Sequence, residues 1–336
     1  MRTSPPDPVL IVGGSGLVGS LAARTLRRFQ PQLPIAIAGR DLARATAVAE
    51  SVGNAHAVQV DLQRRDLGLP QGASYSAVVV FVKDDTLHTL RFAQDRGIPH
   101  VGVSSGSFEI APEVAQFIHR SHAAPVLMLS HWLAGAASLP ALHFMQDFET
   151  VNRLEIGAVL DEQDVGGPAA HADLDRLTIA APHAQLLEQG RWVWAQGELA
   201  GRRFTCVDGT SVQGQAYSPL DVVSLAAASA ARRVRLDIAI GESEARRRGQ
   251  PYSTEIVIEI EGTLKTGAAA RVRHDIVHPQ GQAPLTAVGV VVAIERLLGL
   301  DGGAPVPPGL YLPDVLMAPA RMVQRMQDVG AVFSRR

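Results

Sequence analysis

The first third of the chain alternates short apolar runs with amphipathic stretches. A short apolar run predicts a buried β-strand, and apolar residues three and four positions apart predict a helix. The predicted strands are Val9–Val12, Ile35–Ala38, Ala57–Val60, Ala77–Val82, His100–Ser104 and Val126–Ser130. The predicted helices are Gly16–Phe29, Leu42–Val52 with Asp41 as its N-cap, Asp85–Arg96 and Pro112–Arg120. This alternation is typical of an α/β Rossmann domain with a doubly wound parallel sheet.

The pattern changes after Trp132, where longer strands with alternating polar and apolar positions begin. The predicted strands are Arg153–Leu160, Trp192–Gln196, Arg203–Val207, Val234–Ile240, Thr254–Glu261 and Ala270–Val277, of which the last two form an antiparallel pair. The predicted helices are Leu133–Phe148, Ala169–Ile179, Pro219–Ala230, Leu285–Leu298 and Pro313–Gln327. We therefore expect a Rossmann domain over 1–132, an α+β domain with a mostly antiparallel sheet over 133–300, and a C-terminal helical segment over 301–336 that returns to the Rossmann domain.

Composition supports two folded domains. Of 336 residues, 46% are hydrophobic and 19% are charged, which argues against disorder. The formal net charge of −2 gives no basic field for nucleic acid or an anionic membrane, so neither is expected as a partner. The single cysteine, Cys206, excludes an internal disulfide and a cysteine-rich metal site.

The uncharged stretch 121–146 contains Pro125 and Pro140, which favour a buried strand and helix over a membrane span. The first residues lack an apolar signal core, so we expect a soluble, cytoplasmic protein.

A glycine-rich turn is the strongest motif. Gly14, Gly16 and Gly19 satisfy G-x-G-x-x-G directly after the first predicted strand and at the start of a helix. Such glycines allow a tight turn, close approach of the backbone to a pyrophosphate, and contact between helix and strand. The turn therefore predicts a dinucleotide cofactor. Its predicted contacts are Gly13, Gly14, Ser15, Gly16, Leu17 and Val18.

The end of the second predicted strand indicates which dinucleotide binds. An NAD site would place an acidic residue here, but the strand ends in Gly39 and Arg40. Arg40, with Arg44 one helical turn later, can pair with a 2′-phosphate, so NADP(H) is preferred over NAD(H). The alternative is that Arg40 is a solvated surface arginine. Asp61, after the third strand, lies beside the adenine or serves as a turn residue.

Candidate chemistry lies at the carboxyl ends of the later strands, where ligands bind in this architecture. Val82 and Ser104 are expected to border the nicotinamide. Lys83 is the first candidate proton donor because an ammonium can polarise a carbonyl or imine; the alternative is an ion pair with Asp84 or Asp85. His131 is the second candidate, and its alternative is a hydrogen-bonded core histidine.

Other chemistries are weaker. Ser104 lies in a G-x-S-x-G sequence followed by Asp161 or Asp164 and His171 or His183, the chain order of a serine hydrolase, but this use would compete with the cofactor fold. His119 and His122 lack a third ligand, so no metal is predicted. Tyr-x-x-x-Lys, the pair of short-chain dehydrogenases, is absent.

The arginines of the second domain could hold a substrate carboxylate or face water: Arg202, Arg203, Arg271 and Arg273.

The chain resembles the saccharopine dehydrogenase-like family of NAD(P)-dependent oxidoreductases. IVGGSGLVGSLAARTL and IAIAGRDLARATAVA look like the family's first βαβ unit, and VVVFVKDDTLHTLRFAQDRGIPHVGVSS is similar to its stretch from the fourth to the fifth strand. Gly309–Asp314 resembles the turn before its final helix. The chain departs from the family at residues 82–85, where relatives often have Gly-Pro, so no catalytic residue is carried over.

The resemblance implies a Rossmann domain, a homodimer formed through the second-domain sheet, and hydride transfer on a small-molecule substrate. The sequence thus favours an NADP(H)-dependent oxidoreductase acting on an imine, or a related C=O or C=C bond, of an amino-acid-derived or secondary metabolite. Two alternatives stay open: a non-catalytic NADP(H)-binding sensor or scaffold protein, and a serine hydrolase acting through Ser104.

Overall fold

The computed structural model describes residues 6–217 and 219–336. Its strands are β1 (Val9–Val12), β2 (Ile35–Gly39), β3 (Ala55–Gln59), β4 (Ala77–Val80), β5 (His100–Gly102), β6 (Pro125–Met128), β7 (Phe148–Asp161), β8 (Gln185–Glu188), β9 (Arg191–Trp194), β10 (Gly201–Thr205), β11 (Ser211–Ala216), β12 (Arg233–Gly241), β13 (Thr254–Leu264), β14 (Ala269–His278), β15 (Gly309–Tyr311) and β16 (Val332–Arg335).

Eleven α-helices lie within the described residues. They are α1 (Leu17–Phe29), α2 (Leu42–Val52), α3 (His88–Arg96), α4 (Ala111–Ile118), α5 (Ser138–Met145), α6 (Pro168–Ala180), α7 (Asp221–Ala228), α8 (Glu244–Arg247), α9 (Ala283–Leu297), α10 (Pro313–Leu316) and α11 (Pro319–Asp328). Two short 3₁₀ segments cover Trp132–Gly135 and Gly197–Ala200.

The first sheet is fully parallel, with strand order β15-β6-β5-β4-β1-β2-β3. Strands β1, β4 and β6 are buried along their whole length, as expected for a sheet covered on both faces. The strand order reverses between β1 and β4, and this topological switch point is where such sheets bind ligands. The predicted Rossmann architecture is confirmed.

The second sheet is mixed, with strand order β10-β11-β12-β7-β13-β14-β16, and β8 and β9 extend it from β12. The pairs are antiparallel except β12 with β7. The predicted antiparallel pair is confirmed as β13 and β14. One face carries apolar side chains such as Leu154, Ile156 and Ile258, which are fully buried. On the other face Glu155 and Asp237 are buried among arginines. The predicted α+β second domain is therefore confirmed.

The chain forms two compact units. The first comprises the described residues up to Ser130 together with Gly167–Asp173 and Ala287–Leu316. The second comprises His131–Gly166, the described residues of Leu174–Thr286, and Met317–Arg336. The segment 301–336 is thus divided: its β15 completes the parallel sheet, while α11 and β16 belong to the second unit.

Several predicted elements differ from the structure. The predicted helix Leu133–Phe148 was wrong: Leu133 and Ala134 have left-handed backbone angles, so an α-helix forms only from Ser138 to Met145, and β7 starts at Phe148. The predicted helix Pro313–Gln327 is two helices, and the second begins at Pro319, which cannot donate a backbone hydrogen bond.

Candidate functional site

The turn between β1 and α1 has the geometry that its glycines predict. Gly13 has φ = +82°, a conformation that favours glycine. A Cβ added at Gly14 would lie 2.8 Å from the carbonyl oxygen of Ile11. A Cβ added at Gly19 would overlap the carbonyl oxygen of Gly13 and lie 2.9 Å from the Cα of Gly14. The backbone of the turn therefore packs directly against the first turn of α1.

Backbone donors are concentrated at the start of α1. The amides of Ser15, Leu17 and Val18 make no hydrogen bond to any residue that the structure describes, and Gly16 caps the helix without a side chain. No acidic residue occupies the first turn. These amides and the positive end of the helix dipole form a site suited to phosphate groups. The Ser15 hydroxyl lies beside Gly39, where a Cβ would come within 3.0 Å of it.

Arg40 and Arg44 are exposed at the carboxyl end of β2. Asp41 caps α2, as predicted, because its carboxylate accepts a hydrogen bond from the Arg44 amide at 3.1 Å. Gln59 donates to the backbone carbonyl of Arg40 at 3.1 Å. Neither guanidinium has a partner among residues 6–217 and 219–336. Both charges are therefore available to a ligand at this edge.

Two further predicted contacts lie at neighbouring strand ends. Val82 follows β4, and its Cγ1 would be 3.1 Å from a Cβ placed on Gly13, so Val82 borders the glycine turn. Asp61 is exposed after β3, where its carboxylate accepts a hydrogen bond from the Gln63 amide at 2.9 Å. This hydrogen bond is the one expected if Asp61 serves as a turn residue, the alternative predicted from the sequence. The Asp61 side chain is exposed to solvent.

Lys83 lies in a cluster of polar groups beyond the ends of β4 and β5. Its Nζ donates a hydrogen bond to Ser105 Oγ at 3.2 Å and forms an ion pair with Glu109 Oε2 at 3.8 Å. Ser105 Oγ in turn donates to Glu113 Oε1, on α4. The predicted alternative, an ion pair with Asp84 or Asp85, does not form, because Asp84 accepts its hydrogen bonds from threonines. Ser105 lies at a strand end that the sequence places beside the nicotinamide, whereas the sequence pattern does not single out Glu109 or Glu113.

Burial and hydrogen bonding shift the pKa values of two carboxyl groups in this region, Glu113 and Asp84. The pKa of Glu113 is raised by burial, which outweighs the opposing effects of the Ser105 hydrogen bond and the Lys83 ammonium. Burial alone would also raise the pKa of Asp84, but hydrogen bonds from Thr86 and Thr89 outweigh it and leave the pKa below its usual value. The pKa of Glu113 is therefore raised and the pKa of Asp84 is lowered.

His100 lies deeper on the same side. Its Nε2 is 3.2 Å from Thr89 Oγ1, which donates to Asp84 Oδ2 at 2.7 Å. Burial lowers the pKa of His100 to about 4, so the ring is neutral near neutral pH. A cavity of about 20 Å³ separates these groups from the Lys83 cluster, with room for roughly one water molecule. Its lining includes Val82, Thr89, His100, Ser105 and Glu113.

Ser104 has a different partner from the one that a hydrolase requires. Its hydroxyl donates to Asp173 Oδ2, on α6, at 2.6 Å. Asp161 and Asp164, the predicted acids of a hydrolase, accept backbone hydrogen bonds from Ser243 and Gln282 within the second unit. The arrangement gives Ser104 a carboxylate acceptor in place of the histidine base that a serine nucleophile needs.

His131 lies in the second unit and is 4% exposed. Its Nε2 is 2.7 Å from Ser224 Oγ, and burial lowers its pKa to about 3. A neutral, buried imidazole is a poor proton donor near neutral pH. The contact with Ser224 is the one expected for the alternative, a hydrogen-bonded core histidine, and the catalytic role of His131 stays a prediction.

The second-domain arginines also have protein partners. Arg202 donates to Asp237, Arg271 to Glu259 and Arg273 to Asp275, each at 2.7 Å. Arg203 is exposed.

Among the described residues, no group of three or more metal-binding side chains comes together. Within the same part of the chain, no helix has the length and apolar composition needed to span a membrane.

A parallel sheet with this glycine turn, joined in one chain to a mixed sheet, has the architecture of two-domain dehydrogenases. In particular, the chain is similar to apo saccharopine dehydrogenase (L-Glu forming) from Saccharomyces cerevisiae, with a TM-score of 0.67, 13% identity, and 98% of this chain and 99% of that chain covered. The resemblance predicted from sequence is confirmed in the fold.

Two further solved structures align with the chain at lower TM-scores. Myo-inositol dehydrogenase from Corynebacterium glutamicum has a TM-score of 0.49 and 12% identity, with 98% of each chain covered. Dihydrodipicolinate reductase from Paenisporosarcina sp. TG-14 has a TM-score of 0.46 and 12% identity, with 93% of this chain and 100% of that chain covered. No family model and no curated protein sequence matches the chain.

Proposed function

We propose that this protein is an NADP(H)-dependent oxidoreductase that transfers hydride to an imine, or a related C=O or C=C bond, of a small amino-acid-derived or secondary metabolite. The observation that carries the proposal is the set of unpaired amides at Ser15, Leu17 and Val18, located at the switch point of a parallel sheet. They would hold the pyrophosphate of the cofactor through backbone hydrogen bonds.

The preference for NADP(H) rests on Arg40 and Arg44. Both are exposed at the end of β2, and the nearby carboxylate of Asp41 is engaged as a helix cap. A guanidinium can form two charge-assisted hydrogen bonds to a phosphate, whereas it has no anionic partner in a ribose hydroxyl. Arg40 would therefore favour the cofactor that carries a 2′-phosphate.

Lys83 is the proposed proton donor. When bound, the nicotinamide ring supplies hydride to the substrate double bond, and a protein group must then deliver a proton to the nitrogen or oxygen. The Lys83 ammonium follows β4, its side chain is 18% exposed, and it forms an ion pair with Glu109. The Lys83 ammonium can also polarise the substrate double bond before hydride transfer.

The proposed substrate is an imine derived from an amino acid. The name of the similar Saccharomyces cerevisiae structure, saccharopine dehydrogenase (L-Glu forming), motivates our proposal of an amino-acid-derived imine. We further propose a cytoplasmic homodimer that associates through the second sheet. Sedimentation equilibrium tests the dimer, and a purely monomeric protein at micromolar concentration would contradict it.

The decisive experiment has two stages. The protein is titrated with NADPH and with NADH, and tighter binding of NADPH is expected. Consumption of NADPH is then followed with a panel of cyclic imines, α-keto acids mixed with amines, and enones. Tighter binding of NADH would contradict the cofactor assignment, and absence of binding to either would overturn the proposed function. Tight NADPH binding without consumption across the panel would favour the sensor alternative.

A further inference from the structure

A continuous line of hydrogen bonds leads away from Lys83. Lys83 Nζ donates to Ser105 Oγ at 3.2 Å, and Ser105 Oγ donates to Glu113 Oε1. A serine hydroxyl can accept one hydrogen bond and donate another at the same time. The observed order of donors runs from the Lys83 ammonium to the Glu113 carboxyl group. When Lys83 is a neutral amine, rotation of the Ser105 hydroxyl reverses this order, so that the same three groups can pass a proton from the carboxyl group to the amine.

Exposure differs along this line. Ser105 is buried, with 7% of its surface exposed, and the Lys83 side chain is mostly buried. Glu113, in the first turn of α4, is partly buried. The line therefore connects two partly buried groups, Glu113 and Lys83, through a buried hydroxyl.

We propose that Ser105 and Glu113 form a proton relay that reprotonates Lys83 from solvent after each catalytic cycle. This inference rests on the proposed function only in assigning Lys83 as the donor. Lys83 loses a proton to the product and becomes a neutral amine. Ser105 then gives its proton to the amine and takes one from the Glu113 carboxylic acid, and the Glu113 carboxylate is reprotonated by water or buffer. Lys83, Ser105 and Glu113 all return to their starting states, so no proton is left over.

The surroundings of Glu113 suit this role. Burial raises its pKa, so it holds a proton at higher pH than an exposed glutamate does. The charged groups that face it are Lys83, Glu109 and Asp84. Glu109 is not part of the line, because its Oε2 accepts a hydrogen bond from the Gly106 amide at 2.8 Å and meets Lys83 only as an ion pair at 3.8 Å.

The alternative is that Ser105 and Glu113 only hold Lys83 in place. The chain offers a direct way to separate the two roles, because it contains only two lysines, Lys83 and Lys265. Lysine labelled with stable isotopes at Cε and Nζ therefore gives two resolvable NMR signals. Lys265 is exposed and serves as an internal reference in the same spectrum. A Lys265→Arg variant assigns the signals.

The measurement is the rate at which the Lys83 ammonium exchanges protons with water, relative to Lys265, in the full-length protein without substrate. General acid–base groups accelerate proton transfer by roughly 10²–10⁴-fold, so removing the relay should slow exchange at Lys83 at least about tenfold. We expect this in Ser105→Ala and in Glu113→Gln, with recovery in Ser105→Thr, which restores a hydroxyl. Glu50→Gln, on the exposed side of α2, is the matched control and should leave the exchange ratio unchanged.

Unchanged exchange in both Ser105→Ala and Glu113→Gln would overturn the relay. So would equal slowing in Ser105→Ala and Ser105→Thr, since that result indicates a packing effect. If circular dichroism shows that Ser105→Ala does not fold, the test uses Glu113→Gln with added formate. Formate should restore proton exchange at Lys83 if Glu113 belongs to a relay, and leave it unchanged if Glu113 only holds Lys83 in place. Failure of the proposed function is read separately, from NADPH binding and consumption by the unmodified protein.

Discussion

Lysine is rare in this chain, with two positions against 29 arginines among the 31 basic residues. Positive charge alone is supplied elsewhere by arginine, whereas Lys83 is enclosed beside Ser105 and Glu109. As a residue type, lysine can give up its proton, whereas the guanidinium of arginine stays charged. Residue type and location together therefore fit a group that exchanges protons at position 83.

Replacement of Lys83 by Met should separate cofactor binding from chemistry. Methionine preserves much of the side-chain length but removes the proton donor. Turnover of any imine found in the panel should fall by roughly 10²–10⁴-fold, the usual contribution of general acid catalysis, with NADPH affinity nearly unchanged. Lys265→Met, at an exposed position, is the matched control. Turnover that survives in Lys83→Met would remove this residue from the mechanism.

Arg40→Ala should weaken binding of NADPH roughly 10- to 100-fold, the value of a hydrogen bond between charged groups, and leave NADH binding almost unaffected. Isothermal titration calorimetry at fixed salt concentration measures both. Arg203→Ala, an exposed arginine of the second sheet, controls for loss of overall charge. A similar loss of affinity for the two cofactors would contradict recognition of the 2′-phosphate.

At this scale the sequence predicted backbone-driven features better than side-chain contacts. The glycine turn and the Asp41 cap follow from local geometry, and both are present. The contacts of Lys83 were not predicted, because Ser105 lies at the end of the next strand and Glu113, which accepts from Ser105, lies on the helix after it. A pattern of apolar positions predicts that β4 and β5 are neighbours, but it does not specify which polar side chains meet above them.

Helices and strands were predicted where periodicity is strong and missed where distant contacts decide. The predicted helix from Leu133 fails because Trp132 donates its amide to Asp221 at 2.6 Å, and the next two residues turn left-handed. The predicted start of α3 at Asp85 moves to His88, because the Asp84 carboxylate accepts hydrogen bonds from the amides of Thr86 and Thr89. These contacts are not visible in local sequence.

Gly19→Ala tests the contact between α1 and the turn. The new methyl group would overlap the carbonyl oxygen of Gly13 and approach Gly14 Cα to 2.9 Å, so α1 must shift away from the phosphate site. We expect at least a tenfold loss of NADPH affinity, about 1.4 kcal/mol, together with a lower melting temperature. Gly241→Ala is the control, because a Cβ there meets nothing within 4 Å. Wild-type affinity in Gly19→Ala would show that this close contact is not required.

Over the whole molecule, buried histidines predict how stability changes with pH. Burial lowers the pKa of His100 to about 4, of His131 to about 3 and of His274 to about 4, from an ordinary value of 6.5. Below pH 6.5 the unfolded chain binds protons that the folded protein does not accept until the pH falls to the lower values. Stability therefore rises with pH across this window and is lost on acidification, by about 1.4 kcal/mol per pH unit for each histidine.

Urea unfolding between about pH 7.5 and about pH 5 measures this slope. His274 stacks on Phe144 with ring centroids 3.7 Å apart, so His274→Phe preserves an aromatic contact and removes the titrating group. We expect the variant to show a shallower decline in the free energy of unfolding of the second unit. His119→Phe, at an exposed position, is the control. An identical slope in His274→Phe and the unmodified protein would exclude a contribution from His274.

The parallel sheet includes β15, a strand from near the C-terminal end of the sequence, and this limits how the protein can be cut into separately expressed fragments. A gene fragment ending at Ser130 would encode β1 to β6 but lack β15, which pairs with the edge of β6 opposite β5. The apolar β6, with sequence PVLM, would then present unsatisfied backbone groups to other molecules, which promotes aggregation. Recombinant expression of the first unit thus requires either the intact polypeptide or a redesigned fusion in which residues 287–316 follow residue 130.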